Sequence, residues 1–122
     1  MKSPKEFSEQ RRLVKYLTSL KLRFSALPLD TWTGSFSIMA KNRAGGVRKG
    51  VPDIVVVIEP WQSKNFEGAL LFIEMKRVTG GRLSPEQKEW IDSLNLVSNV
   101  YARCCKGFVE AKCFVDEFFA AV

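Results

Sequence analysis

Two apolar β-type runs joined by a short polar connection constrain this chain more than any other feature. The first, Ile54-Val-Val-Val-Ile58, is an unbroken β-branched segment of the kind buried on both faces of a sheet. The second, Ala69-Leu-Leu-Phe-Ile-Glu-Met-Lys76, is nearly as apolar. Pro60 to Gly68, between them, is polar and too short to hold a crossover helix. The two runs therefore have to pair as an antiparallel hairpin inside a sheet.

Elements on either side extend that sheet and cover it. A helix is expected from about Pro4 to Phe24. Ser3 suits the N-cap, Pro4 the first helical position and Glu6 the third, and Leu13, Leu17, Leu20 and Phe24 form one apolar stripe. Leu27-Pro28-Leu29-Asp30 ends it, and Ser35 to Ala40 alternates like a short strand. Asn42 to Gly50 reads as a glycine-containing basic loop, and Thr79-Gly80-Gly81-Arg82 as a turn. Ser84-Pro85-Glu86-Gln87 opens a second helix with Trp90, Ile91 and Leu94 on its apolar face. Val97 to Cys104 is a further strand. Phe108 to Val122 is a last helix, with Ala111, Phe114, Val115, Phe118 and Phe119 inward. The order α-β-β-β-α-β-α predicts an α/β fold, a mixed sheet flanked by helices. At 122 residues the chain has room for one such domain, spanning 1–122.

The sequence contains no histidine, which removes Ser–His–Asp and Cys–His nucleophiles, His-ligated zinc and His general bases. Chemistry is left to carboxylates, lysine and hydroxyl or thiol groups. Cys104, Cys105 and Cys113 make an odd set without metal-ligand spacing, and are expected to be reduced, partly buried thiols of a cytoplasmic protein. The N-terminus has no apolar run of a signal peptide. A net charge of +6 favours a polyanionic partner, nucleic acid or an acidic membrane surface.

Three Glu-x-Lys steps occur: Glu74/Lys76, Glu86/Lys88 and Glu110/Lys112. Residues i and i+2 share a face on a strand but diverge on a helix, so only Glu74 and Lys76 can converge. Charges within so apolar a run are costly unless paired or bound to a metal, and the same holds for Asp53 before the first run. Two carboxylates and an ammonium at neighbouring strand ends suit a hard cation such as Mg2+. The competing reading is a buried Asp/Glu–Lys bridge that only fixes strand pairing.

Three segments together carry a family resemblance. Gly50-Val51-Pro52-Asp53, Phe72-Ile73-Glu74-Met75-Lys76 and Arg82-Leu83-Ser84-Pro85-Glu86-Gln87-Lys88-Glu89-Trp90 resemble the G-V-P-D strand, I-E-x-K strand and L-S-x-x-Q-x-x-W helix of the VRR-NUC family. That family belongs to the PD-(D/E)xK superfamily of restriction-endonuclease-like folds. Glu6-Phe-Ser-Glu9-Gln10 and Gly107-Phe-Val-Glu110-Ala111 resemble its terminal motifs. The resemblance implies a metal-dependent endodeoxyribonuclease using Mg2+, with Mn2+ able to substitute. Asp53 and Glu74 would ligate the metal together with the Met75 carbonyl, Lys76 would be the catalytic lysine, and Gln87 would reach toward the site. An acid from the first helix would contact the metal through water. Glu6 points close to the centre of the apolar stripe and Glu9 about 60° away, which favours Glu6, although Glu6 has a competing role as the capping partner of Ser3. Gln87 has a matching alternative as the cap of the second helix. Short stand-alone members are common in phages, and relatives act on branched DNA, so flapped DNA or a Holliday junction is the implied substrate, in recombination or repair, and a homodimer the implied assembly. One departure is Lys41-Asn42, where many relatives have Pro-Asn.

Lys41, Arg43, Arg48 and Lys49 crowd just before Asp53, and Arg77 and Arg82 follow the Glu-x-Lys strand. A basic rim of this kind follows a phosphate backbone without reading sequence. Two alternatives stand beside the nuclease: a nucleic-acid-binding module without catalysis, and an interaction subunit of a DNA-processing assembly.

Overall fold

The structure is a computed structural model that describes residues 3–27 and 36–120, apart from the side chains of 36–39. Helix α1 spans Pro4–Ser19, with Ser3 Oγ accepting the Glu6 N–H at 3.2 Å. Its stripe is buried at Leu13 and Leu17. The helix stops earlier than the stripe suggested. Lys21 takes a left-handed φ of 58°, its N–H bonds to the Thr18 carbonyl, and the Leu22 N–H bonds to the Leu17 carbonyl. This is a Schellman end, usually marked by glycine and here built on lysine, with Leu22 buried beside Leu17 as its apolar clasp.

That reversal releases Arg23–Ala26 as strand β1. The remaining strands are β2 (Ile54–Ile58), β3 (Ala69–Lys76) and β4 (Val100–Lys106), in the spatial order β1-β2-β3-β4. β1, β2 and β3 are antiparallel. β4 runs parallel to β3, after a crossover through helix α3 (Pro85–Leu94). Ile54, Val56 and Ile58 of β2 and Leu71, Ile73 and Met75 of β3 lie fully buried in one core with Leu13 and Leu17 of α1. The closing helix α4 (Phe108–Phe118) adds Ala111, Phe114 and Val115. Each large side chain buried there stabilises the fold by about 1.5–3 kcal/mol relative to exposure. Among the described residues no helix is long and apolar enough to cross a membrane.

The element order is thus α-β-α-β-β-α-β-α, and the expected strand at 35–40 is corrected. Phe36–Ala44 forms helix α2, while residue 35 and the expected break at 28–30 lie outside the described residues. Three alternating apolar residues are a weak strand signal, and Met39, Ala40, Lys41 and Arg43 are good helix formers. Basic Lys41 and Arg43 in the last turn also complement the helix dipole. The basic loop shrinks to residues 45–50. β4 starts at Val100 because turns occupy 96–99, where Asn99 has a φ of 62°. The last helix ends at Phe118, and Phe119 bridges to Ser63; residues 121–122 lie outside the described residues.

The outer edge of β4 is closed by one side chain. Asn95 donates to the Ala102 carbonyl at 2.9 Å and accepts the Ala102 N–H at 2.8 Å, imitating a partner strand.

α1 and α4 are fastened by a polar cluster. Tyr16 donates to Asp116, Lys112 donates to Asp116 at 2.8 Å, and Lys112 stands over the Tyr16 ring. Burial pushes the Asp116 carboxyl up, but hydrogen bonds from Lys112 and Tyr16 and the charges of Lys112 and Lys64 outweigh it and hold it below the ordinary value. A depressed carboxyl stabilises the fold above its unfolded pKa of about 3.9 and loses that effect as pH falls through the folded value. Asp116→Asn should therefore melt below wild type by a constant interval from pH 7 to pH 5. The interval should close below about pH 4 in a series of thermal melts.

Candidate active site

The β2–β3 hairpin delivers the three residues that the sequence singled out. Ile54 pairs with Ile73 as the last rung of the ladder, and Asp53 lies just beyond it, at the end of the sheet where β3 continues to Glu74. Asp53 Oδ2 accepts the Met75 N–H at 2.8 Å, and its carbonyl accepts the Leu27 N–H. Asp53 thereby stitches three chain segments together while lying only half-buried at the sheet's end. Glu74 is 1% exposed on the face opposite the main core, with Lys76 two positions on and on the same side. Glu74 Oε2 and Lys76 Nζ are 3.8 Å apart. That separation exceeds a hydrogen bond, so charge attraction couples them.

Gln87 performs both of the roles weighed for it. It caps α3, its Oε1 accepting the Ser84 N–H at 2.8 Å, and its Nε2 donates to Glu74 Oε2 at 3.2 Å. The helix N-terminus thus holds the same carboxylate oxygen that Lys76 approaches.

Two glycines make this arrangement possible. A Cβ on Gly81 would stand 2.8 Å from Lys76 Cβ, so the Thr79–Arg82 turn packs directly over the lysine stem. Gly50, at a φ of 92°, lies against the first turn of α3, where a Cβ would be 2.6 Å from the Glu86 carbonyl carbon. Trp90 Nε1 donates to the Lys49 carbonyl at 3.1 Å and completes the docking. The basic segment is thereby fixed to the same helix that carries Gln87.

The basic residues divide by role. Lys41, Arg43 and Lys49 are exposed at the end of α2 and in the loop. Arg48 turns inward on its own segment and donates to the Arg43 and Val47 carbonyls at 3.1 Å, so part of its function is to close α2. Arg77 and Arg82 are exposed on the turn after β3. Sequence reasoning missed Lys106, which the parallel register sets beside Lys76. Only knowledge of the β3/β4 register could have found it.

On α1, Glu9 is committed elsewhere: it accepts the Phe108 N–H at the start of α4 at 2.8 Å and pairs with Arg12. Glu6 sits half-buried in the first turn. Among the described residues, no three Cys, Asp or Glu side chains gather as a metal cage, so Glu6 is not drawn into one cluster with Asp53 and Glu74. The Asp53 and Glu74 carboxylates, on neighbouring strand ends, and nearby main-chain oxygens remain a hard-oxygen donor set. It fits Mg2+, which takes one or two carboxylates and fills its shell with water and phosphate oxygen.

Cys104, Cys105 and Cys113 are all reduced. Burial pushes the Cys105 thiol up to about 12, which removes it as a nucleophile. Cys104 is half-buried beside Glu74, and Cys113 is exposed, unlike the partly buried thiol expected there.

A mixed four-stranded sheet with a carboxylate–carboxylate–lysine set at the end of its hairpin defines an α/β domain of nuclease type. The VRR-NUC domain model matches residues 6–109, and the chain belongs to that family. A solved structure described as a "VRR_NUC domain protein" is similar over 97% of this chain and 90% of its own, with a TM-score of 0.71 at 21% identity, and has the same fold. No curated protein matches the chain. A nuclease domain implies DNA as its substrate.

Proposed function

We propose that this chain is a Mg2+-dependent endonuclease that hydrolyses phosphodiester bonds of branched or flapped DNA, with Mn2+ able to replace Mg2+. The observation that supports it best is Glu74, buried beside Lys76 and held by Gln87, with the Asp53 carboxylate bonded to the next residue of its strand, Met75. A bridge that served only to pair strands would need none of the basic loop docked on α3.

When bound, the metal supplies charge neutralisation for the phosphate and an acidified water. Asp53, Glu74 and the Met75 carbonyl would hold it, with Glu6 acting through water. Lys76 orients the attacking water and stabilises charge on the nearby phosphate oxygen. Gln87 fixes the Glu74 carboxylate, so its oxygens need no reorganisation during the reaction. Lys41, Arg43, Arg48, Lys49, Arg77 and Arg82 align the backbone. One compact site cuts one strand, so symmetric cutting of a junction calls for a homodimer. The setting we propose is the cytoplasm of a bacterial or phage-infected cell, in recombination or repair.

Four-way, flapped and linear DNA, incubated with and without Mg2+ or Mn2+, tests this reading. Cutting is expected only with metal and fastest on the branched substrates. Tight binding with no cutting in either metal would favour the binding-module reading instead.

A further inference from the structure

Outside the hairpin site, the described residues line an open recess of about 310 Å3 between the first turns of α1 and the turn after β3. Its walls are Lys5, Ser8, Glu9, Arg77, Val78 and Thr79. A water takes about 30 Å3, so the space is ample for a phosphate group with its solvent.

The charge of this recess is positive despite Glu9. One Glu9 oxygen takes the Phe108 N–H at 2.8 Å, and the other faces Arg12 at 3.3 Å. The start of α4 and the Arg12 guanidinium therefore engage both oxygens of that carboxylate and offset part of its charge. What remains for a ligand is one ammonium, one guanidinium and the hydroxyls of Ser8 and Thr79. Cations and hydroxyl donors around an open recess are the chemistry of an oxyanion site.

The recess is also tied to the strand end that carries Lys76. Arg77 is the next residue along the chain, and the Lys76 carbonyl accepts the Gly107 N–H at 2.9 Å, joining this strand end to the start of α4. A polyanion that presents one phosphate to Lys76 has neighbouring phosphates to place, and this recess is lined by Arg77, Val78 and Thr79, the residues that directly follow Lys76. We infer that the Lys5/Ser8/Arg77/Thr79 recess binds a backbone phosphate of the substrate DNA flanking the one that is cut. The inference rests on the nuclease reading. It extends the contact surface to α1, on the side of β3 away from the basic loop.

The test is fluorescence anisotropy of a labelled four-way junction, with Ca2+ in place of Mg2+, over a series of salt concentrations. Lys5→Ala and Arg77→Ala should each raise Kd by about threefold or more. Each should also reduce the slope of log K against log salt by roughly one, the signature of a lost phosphate contact. Lys15→Ala, farther along α1 and outside the recess, should leave both unchanged. Pocket variants that match wild type, or that match Lys15→Ala, would overturn the inference while wild-type cutting left the nuclease reading intact. Wild-type protein that neither binds nor cuts any of the DNAs would remove the nuclease reading and this one with it.

Discussion

Lys76→Ala is expected to lower the rate of DNA cutting by at least about a hundredfold, the usual scale for removing a group that stabilises charge or handles a proton in the transition state. The same change takes the ammonium from beside a carboxylate that is 1% exposed, so some stability goes with it. Gln87 still donates to Glu74, which keeps that loss below the roughly 3–5 kcal/mol typical of a broken buried pair. Lys76→Arg separates the two effects. It restores a positive charge beside Glu74 and should recover the melting temperature, but its planar fork cannot hold a water as a lysine does, so cutting should stay low. Thermal melts and steady-state cleavage of the same preparations check this. An arginine variant that cut like wild type would reduce Lys76 to a structural ion-pair partner. Gly81→Ala probes the same lysine from behind, since its Cβ would press on Lys76 Cβ at 2.8 Å. A displaced lysine with its charge intact should cost about tenfold in rate, because reacting groups tolerate little misplacement.

The central hairpin, the stripe of α1 and the opening of α3 were legible in the sequence because each is encoded locally. β2 and β3 are continuous apolar runs, and Ser84 and Gln87 write their cap in neighbouring side chains. The failures share a cause: the information was not local. The end of α1 turns on Lys21, a residue with no preference for the left-handed region, and it is held by the burial of Leu22 on Leu17. Phe24 continued the helical stripe by spacing, yet it lies in β1 and pairs with Val56 of β2. The site shows the same division. Glu74 and Lys76 could be placed on one face by counting, but Lys106 joins Lys76 only through parallel pairing across α3. Glu9 lay off the stripe by helical angle alone, and its partner at the start of α4 is distant in sequence.

Gly50→Ala is expected to be the most damaging added methyl among the described glycines. At a φ of 92° any L side chain is strained, at a cost of about 1–3 kcal/mol. Here the added Cβ also meets main chain rather than a flexible side chain: Glu86 C at 2.6 Å, Glu86 O at 2.7 Å and Gln87 N at 2.8 Å. Overpacking of this kind costs a further ~1–3 kcal/mol, because the first turn of a capped helix does not yield. Gly46→Ala supplies the comparison within the same loop. Its φ is 101° with nothing within 4 Å of the new Cβ, so it carries the backbone strain alone. Gly50→Ala should therefore melt well below Gly46→Ala, by roughly 5–10 °C if the clash is fully felt. The alternative to unfolding is that the loop lifts from α3, which would break the bond from Trp90 to the Lys49 carbonyl and carry Lys49 away from the strand end. In that case DNA affinity and cutting fall together, while Gly46→Ala keeps both. Equal melting temperatures and equal affinities for the two variants would mean that the basic loop is not seated on α3, and that its charge reaches the site without a fixed path.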